Sequence, residues 1–177
     1  MKPPQTVAAR SLSVPAILDV EASGFGAASY PVEVGLVLAD GRRYCSLIAP
    51  AAHWAHWDPG AAAMHGLTRE HLAISGKPVA TVARELNALA AGQTLYCDGW
   101  AVDYPWLRTL YQAAQLSMSF RVSAIEMLLS EQDLSAWDDI KAAKREEIGE
   151  PRHRASGDAW VIQETYRAVV AARAAAV

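Results

Sequence analysis

The chain has 177 residues, 52% of them hydrophobic and 20% charged, with a formal net charge of −3. This composition excludes intrinsic disorder and is enough chain to bury a sizeable core in one domain. The acidic balance excludes a broad basic face for gripping long polyanions; the 12 arginines and 4 lysines are scattered, and arginine suits bidentate contact with single phosphates.

Residues 1–13, with Pro3-Pro4, read as a flexible lead-in, and residues 14–177 as a single domain. No apolar stretch approaches the length of a membrane span, and Met1 to Arg10 lacks the apolar core of a secretory signal. A cytoplasmic protein without membrane contact is therefore expected. Cys45 and Cys97 lie in strand-like runs at a spacing that fits no metal knuckle, so both are expected as reduced, buried thiols.

A first strand is predicted over about Ala16 to Ala22. Alternation puts Asp19 and Glu21 on one face of it, roughly 6–7 Å apart. Two carboxylates on a buried strand repel and lose solvation, and a divalent cation is one answer; a strand that ends at Leu18, leaving both acids solvated, is another. Ser23-Gly24-Phe25-Gly26 is a turn, and a second strand runs from Val32 to Leu38. Asp40-Gly41 signals a hairpin into a third strand, Arg42 to Ile48. Pro50 to Thr68 is irregular, with a short helix near Pro59 to His65 and a further turn capped by Thr68. Pro78 opens a helix with Val79, Val82, Leu86 and Leu89 at helical spacing and Gly92 as its stop. Thr94 to Cys97 is a fourth strand, and Pro105 is predicted to start the next helix, with Leu107, Leu110 and Tyr111 inward. Arg121 to Ile125 is a fifth strand with a helical turn after it. Ser135 and Asp138 form a capping-box pattern before a helix through Ile148, a loop spans Gly149 to Gly157, and a last helix runs from Asp158 to Ala175. The order predicts an α/β fold: a mixed five-stranded sheet, three antiparallel strands then two parallel, flanked by helices.

Several polar residues fall at element ends. Asp98 and Asp103 flank the end of strand four, and His153 and Asp158 sit at the start of the last helix. Each has an ordinary reading taken singly: Asp103 as a helix cap, Asp158 as an acid at the positive end of a helix, His153 as a solvated histidine between Arg152 and Arg154.

Together, ILDVEASGFG, YPVEVGLVL, MHGLTREHL, CDGWAVDYPWL and HRASGDA resemble the DEDDh family of 3′–5′ exonucleases, which includes polymerase proofreading exonucleases, ribonuclease T and oligoribonuclease. The motifs lie in order from about residue 16 to 170. The resemblance implies a ribonuclease H-like fold and matches Asp19, Glu21, Asp103 and Asp158 to four acidic ligands of two Mg²⁺ or Mn²⁺ ions, roughly 3.5–4 Å apart. It matches His153 to the general base, a role suited to an imidazole. Ser23, Gly24 and Phe25 follow the first two ligands, where the family places a small polar residue and an apolar wedge that stacks on a terminal base; a core residue closing the turn is the other reading of Phe25. His65 matches a residue lining the same nucleotide pocket. Arg152 and Arg154 are expected phosphate contacts from charge and position.

The sequence departs from the family in places. Asp98 stands where Asn is common, Val102 stands before the third acid where proofreading enzymes often carry Phe, and the five-residue step from Asp98 to Asp103 is oligoribonuclease-like. Asp103 is preferred over Asp98 as the ligand because a helix starting at Pro105 fits the family spacing. The implied activity is release of nucleoside 5′-monophosphates from the 3′ ends of single-stranded or short RNA or DNA. Many members work as homodimers, and a homodimer is the protein partner the resemblance suggests. The alternatives are a non-catalytic nucleic-acid-binding or polymerase-associated module and a hydrolase of nucleotides or small phosphodiesters. Trp54 and Trp57 read as core or rim packing, or as part of a substrate groove or dimer contact.

Overall fold

Strand β1 (Ala16–Ala22) divides the interior in two. Its alternation sends Leu18 and Val20 into a core with Val34, Leu36, Leu86 and Leu107. It sends Ile17 the other way, into a core with Trp137, Ile162 and Tyr166. Asp19 and Glu21 share that second face. The computed structural model describes residues 14–175, so the lead-in expected over residues 1–13 lies outside the described residues.

β2 (Pro31–Val37) and β3 (Arg43–Leu47) pair antiparallel on one side of β1, joined by a turn in which Gly41 has φ 86°. β4 (Thr94–Cys97) and β5 (Arg121–Ala124) run parallel to β1 on the other side. The order is β3-β2-β1-β4-β5, so the acid-bearing strand is central. Pairing of β1 with β4 stops at Ile17 and Tyr96, and the register with β2 shifts between Glu21 and Ala22. Asp19 and Glu21 therefore lie beyond the β1–β4 pairing while still paired with Gly35 and Glu33 of β2, at the carboxyl ends of the parallel strands, where open α/β sheets leave a crevice.

The helices are α1 (Pro59–His65), α2 (Arg69–Ser75), α3 (Val79–Ala90), α4 (Trp100–Ala114), α5 (Glu131–Ile148) and α6 (Ala155–Ala175), with a 3-10 turn over Ile125–Leu128. Thr68 caps α2 by accepting from His71 N–H at 3.1 Å. Three helix starts differ from those read in the sequence. α4 begins at Trp100 and contains Pro105. The Gly99 carbonyl accepts from the N–H groups of Val102 and Asp103, which starts the helix early. Pro105 leaves the Ala101 carbonyl without its helical donor, and Ala101 is exposed, so water can serve it. The capping box is Ser130 with Asp133, one turn ahead of the expected Ser135 and Asp138. Ser135 Oγ instead donates back to the Gln132 carbonyl at 2.8 Å, inside the helix. α6 starts at Ala155 because a distant acid caps it: Glu33 of β2 accepts from Ala155 N–H at 3.0 Å.

That contact belongs to a close seating of α6 on β2. A Cβ placed on Gly35 would lie 2.1 Å from the Ala155 carbonyl carbon and 2.2 Å from Ser156 N. Gly35 is the register partner of Asp19. The missing side chain lets the first turn of α6, with Asp158, come down beside the acids of β1. Among the described residues, no helix is long and apolar enough to cross a membrane.

Gly35→Ala is expected to lower the unfolding free energy by about 1–3 kcal/mol, the usual cost of forcing atoms into a filled interior. Urea denaturation reads it directly; an unchanged midpoint and slope would show that α6 is not seated on β2 as described.

Candidate active site

Four elements bring polar groups to the carboxyl end of β1. The strand supplies Asp19 and Glu21, the first turn of α4 supplies Asp103, the first turn of α6 supplies Asp158, and the loop before α6 supplies His153. His153 has φ 58°, a left-handed conformation uncommon for a residue with a side chain. The ligand-type atoms of Glu21, His153 and Asp158 all lie within 4.8 Å of one another.

The acids act on one another. Burial and the charges of Asp103, Asp158, Glu21 and Asp98 push the Asp19 carboxyl well above the usual carboxylate range. Burial, then Asp158, Glu33 and Asp103, push Glu21 up to about 8, although its side chain stays partly open to solvent. Asp103 is 3% exposed and is pushed up to about 7 by burial and by Asp98. Asp103 Oδ2 and Asp158 Oδ1 are buried without a hydrogen-bond partner. Burial, with Asp103 beside it, pushes the Cys97 thiol up, which favours its protonated form in the metal-free protein. A set of crowded carboxylate oxygens, two of them lacking a donor, with one imidazole and no thiolate, fits a hard divalent cation.

Cations border the cluster. Lys141 of α5 pairs with Asp98. Arg145, one turn further along α5, places Nη1 2.5 Å from Asp158 Oδ1. Arg154 was expected on phosphate; its Nε and Nη2 instead donate to Glu33, the shorter contact being 2.7 Å. Glu33 is wholly buried and also accepts from Ala155 N–H and the Cys45 thiol. Burial pushes Glu33 up, but the hydrogen bonds from Arg154 and Ala155 outweigh it and hold its carboxyl below the ordinary value. The stability this pair contributes is full above the unfolded glutamate value and is lost as pH falls through the lower folded one. The clamp fixes the residue after His153 and hence the histidine's place. Arg152 is exposed and lines an open groove of about 450 Å³ with Asp138, Lys141 and Arg145.

The other flank holds the turn after β1. Ser23 is buried, its Oγ accepting from Tyr30 N–H at 3.1 Å and contacting His56 Nδ1 at 3.1 Å. Gly24 has φ 138°, and a Cβ there would lie 2.6 Å from the Asp58 side chain and 2.7 Å from His56 Cε1. Phe25 is 67% exposed, which removes the core reading. Its ring sits 5.9 Å from that of Trp106, over a cleft of about 270 Å³ whose lining includes Val102 and Pro105. His65 is buried, with Nδ1 accepting from Leu67 N–H at 3.0 Å, and burial holds its imidazole below the usual value. Trp54 stacks on buried Tyr30 at 4.8 Å, and Trp57 packs half-buried against His65.

Glu33, Gly35, Arg145 and His56 escaped the reading of the sequence. The first two carried a local signal, an acid and a glycine inside the apolar run YPVEVGLVL, since a strand glycine often marks close backbone approach. Arg145 and His56 carried none.

The same fold occurs in E. coli exonuclease I. Its complex with a dT13 oligonucleotide superposes with a TM-score of 0.68 at 13% identity, over 87% of this chain and 40% of that one. The zinc-bound form of the E. coli enzyme with single-stranded DNA matches at TM-score 0.68 and 13% identity, over 89% and 40%. Exonuclease I from Methylocaldum szegediense matches at TM-score 0.55 and 15% identity, over 69% and 29%. The chain thus spans about two fifths of the E. coli protein. No protein-family model and no curated protein matches it. At these identities the likeness shows the fold alone, a ribonuclease H-like α/β sheet flanked by helices.

Two expectations follow from the crowded acids. Folded Glu21 holds its proton up to about 8, whereas unfolded glutamate releases it near 4.5. Between those values the folded state binds more protons, so metal-free stability should fall as pH rises from about 4.5 to about 8. Thermal unfolding in chelator across that range measures it, and a rising Tm there would contradict the assignment. Asp19→Asn removes one of the repelling charges and should raise the metal-free Tm at pH 8, by the few degrees that about 1 kcal/mol brings to a domain of this size; a lowered Tm would mean the carboxylate is compensated already.

Proposed function

We propose that this chain is a metal-dependent 3′–5′ exonuclease that releases nucleoside 5′-monophosphates from single-stranded DNA or RNA. The observation that carries the reading is the convergence of Glu21, His153 and Asp158 within 4.8 Å, beside Asp19 and Asp103, at the carboxyl end of a central strand. The fold shared with exonuclease I, whose structures hold single-stranded oligonucleotides, supports it.

In this reading Asp19, Glu21, Asp103 and Asp158 hold two Mg²⁺ or Mn²⁺ ions. When bound, such ions lower the pKa of an attacking water and offset the charge that develops on the phosphate. His153, held at the rim by the loop that Glu33 and Arg154 clamp, accepts the water proton. Phe25 offers an exposed ring for the terminal base, a contact worth roughly 1–3 kcal/mol without sequence preference. Ser23 and Gly24 set that ring in place: Ser23 is bonded into the turn, and Gly24 takes a backbone angle that costs other residues strain. His65, whose imidazole burial favours in the neutral form, is assigned to the nucleotide pocket in this reading.

Substrate length follows from charge. The net charge is −3, and Arg154, Lys141 and Arg145 are each paired with an acid. Arg152 remains exposed for phosphate. That supply suits a short strand end and not a long duplex. A non-catalytic module is disfavoured because the full acid set and the histidine are present together.

The test is degradation of matched DNA and RNA oligonucleotides, labelled at either end, with Mg²⁺, Mn²⁺ or chelator. Stepwise shortening from the 3′ end is expected, with no cleavage in chelator. His153→Ala should lower kcat by about 10²–10⁴-fold, the usual worth of a general base. Cleavage from the 5′ end, or a variant as active as the parent, would overturn the reading.

A further inference from the structure

Arg145 occupies an unusual position. Its guanidinium reaches Asp158 from α5, with side-chain exposures of 19% and 11%. The atoms are 2.5 Å apart, yet Arg145 Nη1 and Asp158 Oδ1 are both buried without a satisfied hydrogen bond. At that separation distance is not the obstacle; the N–H does not aim at the oxygen. The pair is a charge contact lacking the directional bonds that fasten Arg154 to Glu33, where both Nε and Nη2 donate. Among the described residues no other carboxylate is paired with Arg145. Its side chain also borders the open groove shared with Lys141, Glu146 and Arg152, so it has somewhere to go.

We propose that Arg145 is a built-in counter-cation, which a divalent ion must displace from Asp158 in order to load. The proposal rests on reading the acid cluster as a metal site. Four carboxylates on three elements repel one another in the metal-free protein, and one guanidinium offsets part of that repulsion. A divalent ion carries twice the charge and accepts several oxygens at once, so it wins the exchange, but its net affinity is reduced by the contact it breaks. Metal loading is therefore an exchange of cations and not a simple addition. Lys141 does not share this role, because its partner Asp98 lies outside the proposed ligand set.

The test is calorimetric titration of Mn²⁺ into the parent protein and into Arg145→Gln, with metal-free Tm measured beside it. The variant is expected to bind Mn²⁺ tighter, on the order of ten-fold, while its metal-free Tm falls. In an Asp158→Asn background the same substitution should leave Mn²⁺ affinity unchanged, since there is no contact left to break. Lys144→Gln on the same helix, whose partner Glu147 is exposed, should change neither quantity. If Arg145→Gln does not fold, Arg145→Met keeps the packing of the stem without the charge and should tighten Mn²⁺ binding likewise. Unchanged or weaker Mn²⁺ binding by the substituted protein would overturn the proposal and make Arg145 a scaffold for Asp158. A parent protein that binds no Mn²⁺ would defeat this proposal and the metal reading together. A parent that binds Mn²⁺ but degrades no oligonucleotide would defeat the exonuclease reading alone, and the titrations would still decide the exchange.

Discussion

The N-terminus of α6 rests on β2 at Gly35, with no room for a methyl group between them. Much of the candidate site depends on that contact. Gly35 stands beside Asp19 in the sheet, so the seated helix delivers Asp158 to the strand that carries Asp19 and Glu21. Glu33, two residues earlier on β2, caps the helix and holds Arg154, which sets the loop bearing His153. The strand that places half of this arrangement is buried on both faces, and apolar packing of Leu18 and Ile17 into separate cores keeps it from shifting.

The same seating creates an electrostatic cost. It crowds carboxylates into a partly buried crevice, where burial and mutual repulsion drive Asp19, Glu21 and Asp103 toward their protonated forms. The protein meets this in two ways. Glu33 is neutralised permanently by a bidentate arginine and a backbone N–H, and Asp98 by Lys141. Asp158 has a looser partner in Arg145. Glu33 and Asp98 are thus fastened, whereas Asp19, Glu21 and Asp103 have no ion-pair partner among the described residues.

On the far side of the crevice the chemistry is apolar. Phe25 stands exposed on a turn tied down by Ser23 and by the approach of His56 and Asp58 to Gly24. Trp106 supports its ring from α4, the helix that also carries Asp103. One helix therefore links the acid cluster to the aromatic flank. Under the proposed function, a strand end lying across the site would meet charge at its phosphate and a flat ring at its base, which is the division of labour that single-strand recognition uses.

The alternation in ILDVEA, the hairpin signal at Asp40-Gly41 and the periodic helices were enough to predict a mixed α/β sheet with the acid pair on one face of its first strand. These are properties of local pattern, and local pattern is what a sequence expresses. The starts of α4 and α5 rest on choices between near-equal local signals, and that of α6 on a contact from far along the chain. Two Ser-x-x-Asp patterns compete before α5, and the cap of α6 comes from Glu33, more than a hundred residues away. The sequence by itself determined which residue types exist to hold a cation and accept a proton, and the order in which they arrive. Only the tertiary structure decided that Arg154 faces Glu33 and that Asp98 faces Lys141. It also decided that Phe25 stands in solvent and that Arg145 reaches Asp158. A charged side chain selects its partner by distance in the folded state, and separation along the chain carries no record of that distance.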